Sequence, residues 1–317
     1  MKRRIYAGTY AENGSKGVYA MDFEDGTLSP ANAVCALPNS KYLTVTNRAL
    51  AAVCDFPEKS GAALIGFDGE IRSAAAFEDC TSCYITASGS YLYTANYHEG
   101  TVTCLSMEGG TLRLLNALQI REKAGCHQVL PWGEFLLVPC LFLDCVVILT
   151  RDLEKVGKIP FPEGTGPQHG VFSRDGKTLY LVSELSNELF ALETGTWKTM
   201  FHMSVLPGGL THKKDTAAIR LNERGDRLYV STRTMDIVSV IGLEGASPRL
   251  LQAVPCGGKH PRDMILAGRH ILTANRFTNS VVAFEIREDG TIGARTGEAT
   301  VPGVVCLADA PSARDGT

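Results

Sequence analysis

Gln168, His169, Glu184 and Asn187 lie within one stretch, Gly164 to Leu189, that otherwise reads as an apolar hairpin. A carboxylate, an imidazole and two amides at one rim suit hydrogen bonding and proton transfer, and such residues typically sit at strand ends and loops. The hairpin itself is plain in the sequence. Val171 and Phe172 end one short strand, Ser173-Arg174-Asp175-Gly176 makes the turn, and Leu179-Tyr180-Leu181-Val182 returns. Asp-Gly supplies the positive φ of a tight turn, and the returning strand is rich in β-formers. Antiparallel pairing brings the start of the first strand and the end of the second to the same edge.

The hairpin recurs. Apolar returning strands begin at residues 5, 50, 92, 136, 179, 228 and 271, separated by 42 to 49 residues. That period in β-type sequence indicates a propeller with one four-stranded blade per repeat, and seven copies mean seven blades. Residues 1–317 therefore read as one all-β domain, a seven-bladed β-propeller. The first repeat lacks an innermost strand. Val301 to Ala308 supplies it, so the N- and C-terminal strands pair and close the ring. Closure removes edge strands. The tail after Ala310 reads as frayed.

Inner strands are expected to start near Asn39, Ser82, Cys126, Gln168, Thr216 and Pro261. If they surround a channel, one face gathers His127, Gln168, His169, Glu184, Arg233, Arg262, Asn275 and Arg276, with Asn96, Tyr97 and Asp55 further round. Strict alternation would turn His169 away from Gln168 into a structural role. Glu184 follows the apolar run LYLV, where a carboxylate needs a partner. Arg233 and Arg262 either hold substrate or pair with Glu184 or Asp144. Asn96 and Tyr97 either cap a blade turn or touch ligand.

Composition narrows the function. The net charge of −3 leaves no basic footprint for nucleic acid. No apolar run approaches the roughly 18 residues of a membrane span. Met1-Lys2-Arg3-Arg4 precedes a segment too short and polar for a signal peptide core, so the expectation is a cytoplasmic protein with reduced thiols. Cys80-Thr81-Ser82-Cys83 is a CxxC without a second pair or a nearby His. No GxSxG nucleophile motif is present, which favours direct attack by water.

The segment GTGPQHGVFSRDGKTLYLVSELSN resembles the GxGPRHxxFxPDGxxxYxxNEL signature of the 6-phosphogluconolactonase family of seven-bladed propellers, which includes the fungal-type carboxymuconate cyclase. IYAGTY, YTANYHEGTV, GCHQVLPWGEFLLVP, LYVSTR and GGKHPRDMI with LTANRFTNSVVAFEI match in order along nearly the whole chain. The resemblance implies a sugar-acid lactone or sugar acid as substrate, no cofactor and no metal. It places the family's site residues on His127, Glu184, Arg233 and Arg262; with the strand register added, the expected catalytic residues are His127, Glu184 and Arg262, and the expected substrate-binding residues are Arg233, Gln168, Asn96, Tyr97 and Asn275. His127 or Glu184 would activate water, and the arginines would hold the acid group and the oxyanion.

Three positions depart from the family pattern. Its GPRH arginine is Gln168, the arginine of its VPxLxxDR segment is Cys145 after a retained Asp144, and an acidic position before Ile219 is Ala218. A charge-assisted hydrogen bond contributes about ten- to hundredfold in affinity. Two lost guanidiniums therefore predict poor use of a phosphorylated lactone and a smaller or uncharged substrate. Two alternatives keep the fold: a non-catalytic binding scaffold, and a metal-dependent lactonase of the regucalcin type with Glu184, Asn96, Asn275 and Asp55 as oxygen ligands.

Overall fold

The computed structural model describes residues 2–208, 213–245 and 247–310, so the tail after Ala310 lies outside the described residues. Seven antiparallel sheets follow one another, as the repeat predicts. Blade 2 runs Leu43–Val45, Leu50–Asp55, Ser60–Ile65 and Ile71–Glu78, from the channel outward. Blades 3 to 7 repeat the plan, with inner strands Tyr84–Ser88, Leu130–Trp132, Pro167–Phe172, Thr216–Leu221 and Pro261–Leu266. Blade 1 takes its inner strand from the far end of the chain. Val304–Asp309 pairs antiparallel with Arg3–Thr9, Ile5 opposite Asp309 and Gly8 opposite Cys306, and Arg3 forms an ion pair with Asp309. Its outer strand is split into Thr27–Leu28 and Asn32–Ala36.

Alternation explains why the second strand of each blade is apolar throughout. In Leu50–Asp55, Leu50, Ala52 and Cys54 pack toward blade 1, while Ala51 and Val53 pack toward blade 3. Both faces of a middle strand are thus covered, as in any sheet packed on two sides. The buried side chains fall into seven clusters, each joining two consecutive blades, and the cluster of Ile5, Met21, Leu272 and Val281 joins blade 1 to blade 7. Outer strands such as Arg113–Gln119 and Lys155–Pro160 are mostly exposed.

The hairpin turns match the expectation in outline. Gly89, Gly133, Gly176, Gly225 and Gly268 all have positive φ. In the turn at Ser173–Gly176 only Gly176 does, at +70°, and its N–H bonds the Ser173 carbonyl at 2.9 Å. No described helix is long and apolar enough to cross a membrane.

Candidate functional site

Each inner strand enters the channel at the same face, and its first residues form a ring. Val305, Lys41, Cys83, His127, Gln168, Ala217 and Arg262 come one from each of blades 1 to 7, and all line one cavity with Tyr10, Tyr42 and His169. In blades 5, 6 and 7 the ring residue belongs to a β-bulge. The pairing slips between Pro167 and His169, between Thr216 and Ile219, and between Pro261 and Asp263. A bulge re-aims a side chain by inserting one residue.

The bulge corrects the expectation for His169. Gln168 is the extra residue, so Gln168 and His169 both face the cavity and both reach His127. Gln168 Nε2 lies 2.6 Å from Glu184 Oε2 and 3.1 Å from His127 Nε2. A carboxylate accepts only, so the amide nitrogen must donate to it, and its second N–H then points at His127 Nε2. That nitrogen is the acceptor, and His127 carries its proton on Nδ1, where His169 Nε2 receives it at 3.1 Å. Both imidazoles are buried and neutral. Burial, with the guanidiniums of Arg262 and Arg233 adding to it, holds His127 well below the usual range. Burial and Arg220 lower His169 to about 3.

Glu184 also accepts from Arg233 Nη2 at 2.7 Å, and the pair is largely shielded, with side chains 14% and 9% exposed. Arg233 Nε donates to the Asp215 carbonyl at 3.1 Å. The retained Asp144 acts from behind. Its two oxygens accept the N–H groups of Gly164 and Gly166 at 2.9 and 2.7 Å, and the Gly166 carbonyl accepts from the N–H of Glu184 at 2.8 Å. One carboxylate thus fixes the loop that aims Gln168 and Glu184. Tyr97 stands edge-on to His127, 5.8 Å between ring centres, and edge-on to Phe142 at 5.4 Å on the exposed rim.

Other expected members lie elsewhere. Asn96 is fully buried under blade 3. Its amide donates to Glu78 at 2.9 Å and to the Cys80 carbonyl, and its oxygen accepts from the N–H groups of His98 and Glu99. Asn275 is fully buried against the Cys256 carbonyl and Thr273 Oγ1. Asn96 thereby holds its blade turn, whereas Asn275 braces its strand against the Cys256 backbone. Asn is common at such turns because its short amide bonds backbone two or three residues away. Cys145 is buried in blade 4 outside the cavity, its thiol pushed up to about 11 by burial. Arg276 pairs with Glu12 at 2.7 Å.

Asp55 is held by Ser60, Asn39 and Thr81, so the four oxygen donors of the metal-dependent alternative, Glu184, Asn96, Asn275 and Asp55, are engaged separately. Among the described residues no group of three or more His, Cys, Asp or Glu could hold a metal ion.

Sequence reasoning missed Lys41, Tyr10 and Arg220. Lys41 is the ring residue of blade 2, ahead of a strand that begins only at Leu43. Its register was readable only by counting back from the return strand, because Asn39 kinks the approach at φ +51°. Deeper in the channel, Tyr42 packs on Tyr84 at 4.4 Å and on His169 at 6.4 Å, and Arg220 pairs with the buried Asp263.

Seven blades and a single polar mouth define a propeller whose site is built from inner-strand starts. The chain belongs to the family described as lactonase, 7-bladed beta-propeller, whose model matches residues 4–308. It is 26% identical to the 6-phosphogluconolactonase of Bacillus subtilis over 337 aligned positions, covering 95% of this chain and 97% of that one. A crystal structure of a protein from Lactobacillus plantarum is 25% identical and superposes with a TM-score of 0.90, covering 98% of this chain and 99% of that one. The periplasmic gluconolactonase of Pseudomonas aeruginosa shares the fold at 23% identity and a TM-score of 0.88, covering 98% and 99%.

Proposed function

We propose that this protein hydrolyses a sugar-acid lactone at the channel mouth, with Glu184 as the general base. The observation that supports this most is the orientation of the Glu184 carboxylate, fixed by Arg233 on one oxygen and on the other by Gln168, which itself lines the cavity. His127 is the weaker candidate for base, because its Nε2 lone pair already accepts from Gln168. Membership in the lactonase family and the named activity of the Bacillus subtilis relative point to the same substrate class.

The step balances without a covalent intermediate. Water oxygen bonds to the lactone carbonyl carbon, and its proton passes to Glu184. The carbonyl oxygen becomes an oxyanion, which the remaining N–H groups of Arg233 stabilise in a site shielded from solvent. As the ring C–O bond breaks, the ring oxygen takes the proton back from Glu184. The product is the open hydroxy acid. Arg262, two blades along the ring, holds the acid end of the substrate.

The test is steady-state hydrolysis of gluconolactone, 6-phosphogluconolactone and a muconolactone, with and without chelator, by the natural protein and Glu184→Gln. Glu184→Gln is expected to lower kcat by about 10²–10⁴-fold. Unchanged kcat would remove Glu184 from the mechanism. Activity lost to chelator and restored by calcium would replace it with the metal-dependent reading. No turnover of any lactone would leave a binding scaffold.

A further inference from the structure

Ten cysteines are spread along the chain, and all are free thiols. The CxxC at Cys80 and Cys83 does not bring its sulfurs together. Cys80 is exposed, and the Cys83 thiol donates to the carbonyls of Ala95 and Cys126 at 3.5 and 3.4 Å. The one sulfur–sulfur contact within 4.0 Å among the described residues lies in blade 4, where Cys126 Sγ and Cys140 Sγ are 3.9 Å apart. Both residues are fully buried.

The backbone brings this pair into register. Cys126 precedes the inner strand, which begins at Leu130, and meets the return strand through one isolated antiparallel bridge to Cys140. Hydrogen bonds flank the bridge. The His127 N–H donates to the Pro139 carbonyl, and the Leu141 N–H to the Gly125 carbonyl, both at 3.0 Å. Cys126 and Cys140 are therefore a non-hydrogen-bonded pair, the kind whose facing Cα atoms come closest, at about 4.5 Å. A disulfide spans Cα separations of about 4.4–6.8 Å, so the sulfurs can bond with the strands in place. Cys140 also faces Cys145 across its other edge, and the three cysteines share the face packed on blade 3. That second pair is less suited. The N–H and C=O of Cys140 point away from Cys126, so Cys140 and Cys145 are the hydrogen-bonded, wider kind, at about 5.5 Å.

We propose that Cys126 and Cys140 are an oxidation site, closed into a disulfide by a hydroperoxide, that ties the segment carrying His127 to the return strand of blade 4. The site is independent of any lactone chemistry. The sulfur of one cysteine attacks a peroxide oxygen and the O–O bond breaks. A sulfenic acid is left, and the departing oxygen takes the thiol proton as an alcohol. The second sulfur then attacks the sulfenic sulfur, the S–S bond forms, the S–O bond breaks and water leaves. Two thiols lose two electrons and two protons, and the hydroperoxide is reduced to alcohol and water. The contact with Cys126, together with burial, pushes the Cys140 thiol well above its usual range. Reaction therefore proceeds from molecules in which the segment has opened, and a segment joined by one bridge opens more readily than a full ladder. The pair is a slow lock, not a fast sensor.

Hydrogen peroxide is the probe. The natural protein is treated with it, remaining thiols are alkylated in denaturant, and the unreduced digest is mapped by mass spectrometry. Trypsin, Glu-C and Asp-N together release residues 124–134, 135–143 and 144–151, with one of the three cysteines in each. The expected product links the first of these peptides to the second and is lost on treatment with dithiothreitol. Closing a loop of about 15 residues should raise the melting midpoint by about 3–6 °C over the reduced protein. Cys126→Ala and Cys140→Ala should each abolish that rise, and the map of the natural protein carries the test if either variant fails to fold. Linkage of Cys140 to Cys145 instead, or no linked peptide under conditions that oxidise the exposed Cys80, overturns the proposal. A Cys126–Cys140 product that melts no higher than the reduced protein overturns the lock.

Discussion

On the wall of the mouth built by blades 4, 5 and 6, every charge is answered from within. Glu184 sits between Arg233 and Gln168, Gln168 bonds His127, and His127 bonds His169. On the wall built by blades 7, 1 and 2, Arg262 and Lys41 both approach Tyr10, and among the described residues neither makes an ion pair, although Lys41 helps hold the Asp55 carboxyl down from a distance. The two walls are equivalent in the repeat, since both consist of residues at inner-strand starts. They differ in whether the return strand of the next hairpin ends in a carboxylate. Glu184 follows the return strand of blade 5 and reaches the ring. Asp55 ends the return strand of blade 2 but is drawn away by Ser60, Asn39 and Thr81. One wall therefore has a geometry set by its own pairs, and the other carries cations without an ion pair among the described residues. A hydrolase needs both: a fixed base and a handle that orients the substrate toward it.

Removing a cation from each wall exposes this difference most strongly. Arg233→Met leaves the shielded Glu184 carboxylate without its partner, and breaking such a pair typically costs about 3–5 kcal/mol. Lys41→Met removes a charge that makes no ion pair within 4.0 Å among the described residues and that Asp55 feels only at longer range, so unfolding free energy should stay within about 0.5 kcal/mol of the natural protein. Urea unfolding midpoints compare the two. Similar costs for both would mean that the walls are not built differently.

Acid should disturb the paired wall next. His169 has a folded pKa of about 3 against about 6.5 when unfolded, and His127 is shifted in the same direction. Between those values the unfolded chain binds protons that the folded chain does not, so stability is full above pH 6.5 and falls as the pH drops toward 3. The slope is about 1.4 kcal/mol per pH unit for each buried imidazole. His169→Gln keeps an acceptor for His127 Nδ1 and should shallow the slope between pH 6.5 and 5. An unchanged slope would show that other groups dominate acid unfolding.

Much of this architecture was legible because it depends on local pattern. A propeller blade repeats one hairpin, so apolar runs and Gly turns recur at nearly constant spacing, and the missing inner strand of blade 1 announced its replacement after Val301. Register alone pointed to His127, Gln168 and Arg262, which line one cavity, and to Glu184, which Gln168 bonds, and Arg233, which pairs with it, though neither of these two lines that cavity. Register failed where backbone departs from ideal pleat. The bulge at Gln168 carries no sequence mark, so His169 was turned the wrong way, and the kink at Asn39 hid Lys41. Asn96 and Asn275 misled for another reason. An amide at a strand end looks the same in sequence whether it faces a ligand, caps its own turn as Asn96 does, or bonds distant backbone as Asn275 does.

The smallest effect is also the sharpest test of how the two walls divide their work. Read from sequence, Gln168→Arg restores a family guanidinium and should raise affinity for a phosphorylated lactone. Read from structure, the new side chain starts 2.6 Å from Glu184 and belongs to the wall that already satisfies its charges. The guanidinium would share that carboxylate with Arg233, because a paired carboxylate is a stronger acceptor than a distant ligand. Lys41 and Arg262, which line the same cavity from other blades, are untouched. KM for 6-phosphogluconolactone should then change by less than about threefold, while kcat falls because Glu184 is held by two guanidiniums instead of one. A KM lowered tenfold with kcat unchanged would show that residue 168 reaches the substrate's anion, and that the division of the mouth into a paired and an unpaired wall is wrong at this position.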